Sequence, residues 1–134
     1  MSLMRSFHVS SSGLVAQAQR LNIVASNIAN AESVQGPDGK PYKAKQAVFR
    51  PTPMFGSVAA GVEVAAVVDS NAPMRREYKP GHPNANAEGF VEMPNVNPVD
   101  EMVNMISASR SYQMNVEIMN TSRQLMQKTL DLGR

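Results

Sequence analysis

The chain has 134 residues, with 13 Lys and Arg against 11 Asp and Glu, and its formal net charge of +2 does not indicate a polyanionic partner such as nucleic acid. Only 5% of the residues are aromatic and there is no Trp, whereas ten Met provide adaptable packing. The absence of Cys excludes disulfides and thiolate metal sites, and two distant His do not indicate a metal site.

A first helix is predicted over about residues 4–30, because apolar and small residues recur there at alternating steps of three and four. Its packing stripe consists of Phe7, Ser11, Leu14, Ala18, Leu21, Ala25 and Ile28. The stretch differs from a cleaved secretory signal, since Arg5 is isolated and residues 10–13 interrupt any apolar core. No stretch approaches the roughly 20 apolar residues of a membrane span.

The middle of the chain is predicted to be a small module rich in strands and loops, because all nine Pro lie between Pro37 and Pro98. Strands are predicted over residues 42–50, 61–69 and 89–93, with loops at residues 51–53 and 79–83. Alternation in the second strand predicts one common face for Val62, Val64, Ala66 and Val68. Strands this short indicate a hairpin-based module rather than a large sheet.

A second helix is predicted from Pro98 to Leu132, roughly 50 Å at 1.5 Å per residue. Asn97 is a favoured N-cap and Pro98 suits the first helical position. Asp100 and Glu101 suit the positive end of the helix dipole. The packing stripe consists of Met102, Met105, Ser109, Tyr112, Val116, Met119, Arg123, Met126 and Leu130.

The positions that flank both stripes carry no charged residue. In the second helix one flank is Ile106, Gln113, Asn120 and Gln127, and the other is Ala108, Asn115, Ser122 and Thr129. A free two-stranded coiled coil usually carries charges there, so small and amide side chains indicate flanks that are also covered. The helices are too long for the rest of the chain to cover, which predicts packing on each other and on neighbouring copies. An antiparallel pair within one monomer is the alternative.

Several stretches resemble signatures of the axial proteins of the bacterial flagellum, the family of rod and hook subunits. Residues 25–31 are similar to the family motif at the end of the first helix. Residues 89–97, followed by residues 101–105 and 107–113, are similar to the C-terminal signature of its proximal rod members. The resemblance covers nearly the whole chain, with departures at Glu32-Ser33 and Met114.

Together with the predicted order of a helix, a strand-rich middle and a second helix, this resemblance implies an α+β fold. The terminal segments, residues 1–35 and 98–134, would pair as an antiparallel coiled coil that forms a tube, and residues 36–97 would form the middle module. The chain would be a structural subunit that polymerises with copies of itself and other flagellar rod proteins, without enzymatic activity, cofactor, small-molecule substrate or nucleic acid. Further implied partners are the membrane-ring and adaptor proteins and the flagellar type III export apparatus. The implied location is the periplasmic rod of the basal body, which transmits motor torque, reached without signal cleavage.

The predicted subunit interface draws on both stripes and the first motif: Phe7, Leu14, Leu21, Asn27, Ile28, Asn30, Met102, Met105, Tyr112, Val116, Met119, Met126 and Leu130. Asn27 and Asn30 share one helix face. Their amides are predicted either to form hydrogen bonds between subunits or to end the helix. The basic cluster at residues 75–79 is either a solvated loop or a polar contact between subunits. The alternative function is a soluble coiled-coil scaffold or adhesin-like stalk unrelated to flagella.

Overall fold

A computed structural model describes residues 3–54, 56 and 59–133. The elements in chain order are α1 (Leu3–Ala29), β1 (Lys45–Pro53), β2 (Ala60–Asp69), β3 (Arg75–Tyr78), β4 (Phe90–Met93) and α2 (Pro98–Leu132). Two long helices with two small antiparallel sheets confirm the predicted α+β class. The predicted terminal segments begin at Met1-Ser2 and end at Arg134, which lie outside the described residues.

The two helices pack in an antiparallel orientation, because Gly13 faces Asn115 and Asn27 is hydrogen-bonded to Glu101. Among the described elements α2 packs only on α1, whereas α1 also packs on β1 and β2. The contact depends on small residues, since a Cβ on Gly13 would lie 2.9 Å from Nδ2 of Asn115. The side chains at such a contact set the distance between the helix axes, so this pair approaches closely.

The fully buried residues of α2 lie on a flank of the predicted stripe, whereas the stripe residues Met105, Val116, Met119 and Met126 are half-buried. The residues that face α1 recur every seven positions: Glu101, Ala108, Asn115 and Ser122. Met102 and Leu130, on the stripe, are 53% and 71% exposed. The prediction of a covered flank is confirmed on this side, whereas the opposite flank is exposed at Ile106. Small side chains occupy these positions because they permit α2 to approach α1 closely.

The β1–β2 hairpin lies on α1 and contains a β-bulge. The register shifts between Val48 and Phe49, which leaves Ala65 of β2 without a partner. Because cross-strand partners share a face, the alternation of β2 reverses at this residue. The prediction of one common face for these four residues is therefore wrong. One face carries Val62 and Val64, and the opposite face carries Ala66 and Val68.

Strand β1 continues through Pro51 and Pro53, where the sequence predicted a loop. Among the residues that the structure describes, β1 pairs with β2 alone, which leaves its other edge open there. Proline is tolerated there, since its missing N–H removes no hydrogen bond when it points away from the partner strand.

The second sheet pairs β3 with β4. Strand β4 agrees with the predicted strand at residues 89–93 and buries Val91 and Met93, which are 1% and 2% exposed. Strand β3 was not predicted, because its sequence Arg-Arg-Glu-Tyr has no apolar alternation and all four residues are exposed.

Candidate subunit interface

The helix pair is joined to the middle module at a junction around Ala44 and Lys45. Asn27, in the last turn of α1, is 1% exposed. Its Nδ2 donates to the Lys45 carbonyl at 2.8 Å and to Oε2 of Glu101 at 3.0 Å. Its Oδ1 accepts from the Lys45 N–H and from the Tyr42 hydroxyl, both at 2.9 Å. The subunit itself therefore uses all four hydrogen-bonding positions of this amide.

Asn95, which precedes α2, also forms hydrogen bonds to the junction segment around Ala44. Its Oδ1 accepts from the Ala44 N–H at 2.7 Å, and its Nδ2 donates to the carbonyls of Ser70 and Ala72 at 3.3 and 2.9 Å. The Ala44 carbonyl accepts from the Ser70 N–H at 2.7 Å. Every backbone N–H and C=O of Ala44 and Lys45 thus has a partner. The base of the hairpin is fixed to both helices.

The start of α2 presents Glu101 to this junction. The predicted N-cap is confirmed, because the Asn97 side chain accepts from the Val99 N–H at 3.1 Å and Pro98 begins the helix. One turn later, Glu101 bonds to the junction through Oε2, and its Oε1 accepts from Nδ2 of Asn104 at 3.3 Å. The sequence indicated this glutamate only as a charge at the helix dipole, and nothing local showed its distant partner.

Three titratable groups border the junction: Tyr42, Lys45 and Asp69. Burial raises the pKa of Tyr42, whose hydroxyl donates into the junction. At the surface, Nζ of Lys45 lies 2.9 Å from Oδ1 of Asp69, and this hydrogen bond raises the pKa of Lys45 and lowers the pKa of Asp69. Both side chains are about half exposed, so solvent and salt weaken this pair.

The large apolar side chains of α2 are mostly exposed, in contrast to its small buried ones. They are Val99, Met102, Val103, Ile106, Tyr112, Met114, Ile118, Leu125, Leu130 and Leu132. At the N-terminal end, four of them recur at i, i+3, i+4 and i+7 on the face opposite Ala108. We name this group the outer ridge, and it consists of Val99, Met102, Val103 and Ile106.

The predicted interface residues differ in how far the subunit covers them. Asn27 is buried, and Met102, Tyr112 and Leu130 are exposed. The half-buried ones are Phe7, Leu14, Leu21, Ile28, Asn30, Met105, Val116, Met119 and Met126. A hydrogen bond from Asn27 to a neighbouring subunit would require the loss of one inside the junction. The apolar residues keep accessible surface for such a contact, and their role stays a prediction.

Asn30 and the basic cluster form contacts inside the subunit. Nδ2 of Asn30 donates to the Ser26 carbonyl at 2.8 Å, as expected where a helix ends. Arg75 lies in strand β3, and its Nη2 is 3.5 Å from Oε1 of Glu32. Nζ of Lys79 lies 3.3 Å from Oε1 of Glu77, two residues earlier in the chain. These ion pairs are exposed and worth little on their own.

Within the described part of the chain, no three His, Cys, Asp or Glu are grouped to hold a metal ion. Neither described helix combines the length and apolar character needed to cross a bilayer. More than half of the exposed large apolar side chains in the described part of the chain lie on α2.

Two family models match the chain. "Flagella basal body rod protein" covers residues 7–37 and "Flagellar basal body rod FlgEFG protein C-terminal" covers residues 87–132. Relatives named flagellar basal-body rod protein FlgC are similar over the full length: 56% identical in Yersinia enterocolitica and 55% in Escherichia coli O6:H1, with 100% of both chains covered. The FlgC protein of Borreliella burgdorferi is 36% identical, with 97% of both chains covered.

Proposed function

The chain belongs to the family of the flagellar basal-body rod protein FlgC and is a structural subunit of that rod, and from this premise we propose how its surface serves assembly. The family is structural, so the chain is not an enzyme. The alternative of a scaffold or adhesin-like stalk unrelated to flagella is not favoured, because the similarity to rod proteins extends over the whole chain.

The subunit polymerises with copies of itself and with other rod proteins through the apolar side chains that its own fold leaves exposed. The exposure of α2 carries this proposal, because that helix packs on one neighbour and presents Met102, Tyr112 and Leu130 to solvent. Burying one large apolar side chain contributes roughly 1.5–3 kcal/mol. Several such residues per subunit can offset the loss of freedom on assembly.

In the rod, the two stripes pack against neighbouring subunits as coiled-coil contacts and so form a tube. The terminal segments at residues 1–35 and 98–134 act as one assembly domain, and residues 36–97 form the module attached to it. The antiparallel helix pair supports this division, and the junction together with the packing of α1 on β1 and β2 attaches the module to it.

The proposal extends to partners and location. The subunit contacts ring and adaptor proteins, leaves the cell through the flagellar type III apparatus without signal cleavage, and forms the periplasmic rod that transmits torque. Membership of the rod family supports this. The thin helix pair also suits export, because a chain with a small core has little structure to lose before passage.

Charge substitutions on the stripes test the interface. Tyr112→Glu and Ile28→Glu are each expected to reduce the amount of this chain in purified basal bodies at least about tenfold, because a buried unpaired charge is strongly unfavourable. Gln124→Glu is the matched control, since it introduces the same charge at an exposed position of α2 that lies off the stripe and far along the helix from the outer ridge. The measurement is quantitative immunoblotting of basal bodies, with motility in soft agar as a second readout.

Circular dichroism of the purified variants separates assembly from folding. Spectra that match the parent chain would assign the loss to the interface. Equal incorporation of all three variants would contradict the proposed stripes.

A further inference from the structure

A groove of about 400 Å³ opens beside the junction, between α1, β1 and the first turns of α2. Its apolar wall consists of Ile23, Val24, Ala47 and Phe49. Among the lining residues, the carboxylate of Glu101 is already bonded to two asparagine side chains, and Lys45 is paired with Asp69. Gln46 and Asn104 also line the groove, so it combines the apolar wall with polar side chains and with one cation, Arg20, that has no ion pair within the described residues.

The outer ridge on α2 has the complementary character. Its i, i+3, i+4 and i+7 spacing is the pattern by which a helix inserts apolar side chains into a groove. Asp100 lies within the ridge sequence, is exposed, and has no ion pair in the part of the chain that the structure describes. Helix α1, which carries Arg20, has no acidic residue, whereas the first turn of α2 has two.

We infer that the outer ridge of one copy docks into the groove of a second copy, with Asp100 paired to Arg20 of that neighbour. The ridge faces away from α1, so it cannot reach the groove of its own subunit. The contact joins two different surfaces and is therefore heterologous, and a heterologous contact that does not close produces an open helical polymer. This inference rests on the proposed function and identifies one of its contacts.

Engineered cysteines test the contact in assembled rods. The sequence has no Cys, so a disulfide between copies of this chain forms only from the introduced cysteines. A chain with Ile106→Cys and Phe49→Cys is expected to form covalent dimers and longer ladders when purified basal bodies are mildly oxidised. The matched control replaces Phe49→Cys with Val68→Cys, because Val68 lies on the opposite face of the hairpin and is 42% exposed. That control and each single variant are expected to remain monomeric.

Charge exchange provides a second test that does not depend on cysteine reactivity. Asp100→Arg and Arg20→Asp are each expected to reduce incorporation into rods at least about tenfold, and the double variant to return within about twofold of the parent. Loss in the single variants without recovery, together with no ladder from the cysteine pair, would overturn the inference. A cross-link to a different rod protein would also overturn it. If the parent chain were absent from purified rods, the proposed function itself would fail.

Discussion

At its N-terminal end, α2 reverses the usual relation between side-chain type and burial. The face on α1 has small and polar residues at its most buried positions, among them Ala108 at 0% exposure and Ser122 at 5%. The outer ridge on the opposite face carries large apolar residues, among them Val99 at 67% exposure, whereas the same face further along the helix carries polar and charged residues such as Arg110 and Glu117. Large apolar residues normally seek the interior. In this chain, close packing and hydrogen bonds within the subunit stabilise the inner face, whereas the outer ridge remains uncovered and available to a partner.

This difference teaches that the two contacts obey different requirements. The inner contact forms once within each chain and fixes the geometry of the subunit, so fit at Gly13 and hydrogen bonds at Asn27 matter most. The outer contact must gain enough apolar burial to join separate molecules. A contiguous exposed apolar surface is typical of such an interaction site.

The largest expected effect comes from breaking the inner face at the junction. Asn27→Ala removes four hydrogen bonds and leaves Lys45, Tyr42 and Glu101 with unpaired polar groups. The free energy of unfolding is expected to fall by about 2–4 kcal/mol. Urea titration of the purified chain, followed by circular dichroism, measures this change.

Asn30→Ala is the matched control, three residues further along the chain. Asn30 is half-buried rather than buried, and its amide bonds to the neighbouring Ser26 and Ser33 at the helix end, so the expected change stays below about 1 kcal/mol. Similar losses for the two variants would contradict the special role of the buried amide.

An intermediate effect is expected where the helices approach most closely. Gly13→Ala gains helix propensity of about 1 kcal/mol but forces a Cβ against Asn115, and such overpacking typically costs about 1–3 kcal/mol. The free energy of unfolding is therefore expected to fall by about 1 kcal/mol. In an Asn115→Ala background the obstructing atoms are gone, so the same change becomes stabilising. Urea midpoints of the four chains complete this double-mutant cycle, and an unchanged sign in both backgrounds would refute the close contact.

The smallest effect is expected at the exposed border of the junction. The lowered pKa of Asp69 means that its pair with Lys45 stabilises the fold above the unfolded pKa of about 3.9 and loses this contribution as pH falls through the folded value. Asp69→Asn is therefore expected to reduce the urea midpoint slightly near pH 6 and to match the parent near pH 2. The difference should shrink in high salt. A difference that is independent of pH would mean that the pair does not act through its charge.

Local signals in the sequence were sufficient for the helices and for part of the strands. The N-cap Asn97 and Pro98 marked the start of α2 because capping involves only neighbouring residues. The strand predicted over residues 89–93 agrees with β4, where one face is buried. Strand β3 escaped prediction because its four residues are exposed and no apolar pattern is required of them.

The contacts of the candidate site depended on residues far apart in the chain. The partners of the Asn27 amide lie 18 and 74 residues away, so no spacing rule could identify them. The bulge at Ala65 likewise depends on how β1 pairs with β2, and it reverses which residues face α1.

The sequence by itself determined that two long helices enclose a short β-rich segment, since both terminal stretches lack Pro inside the helix and keep a repeat of three and four, and residues 99–132 also lack Gly. It also carried the rod-family resemblance. Only the tertiary structure decided which side of each helix is buried, because a heptad pattern does not distinguish a contact within the chain from a contact between chains. That choice follows from the fit of small residues at the antiparallel crossing, which requires both helices to be present at once.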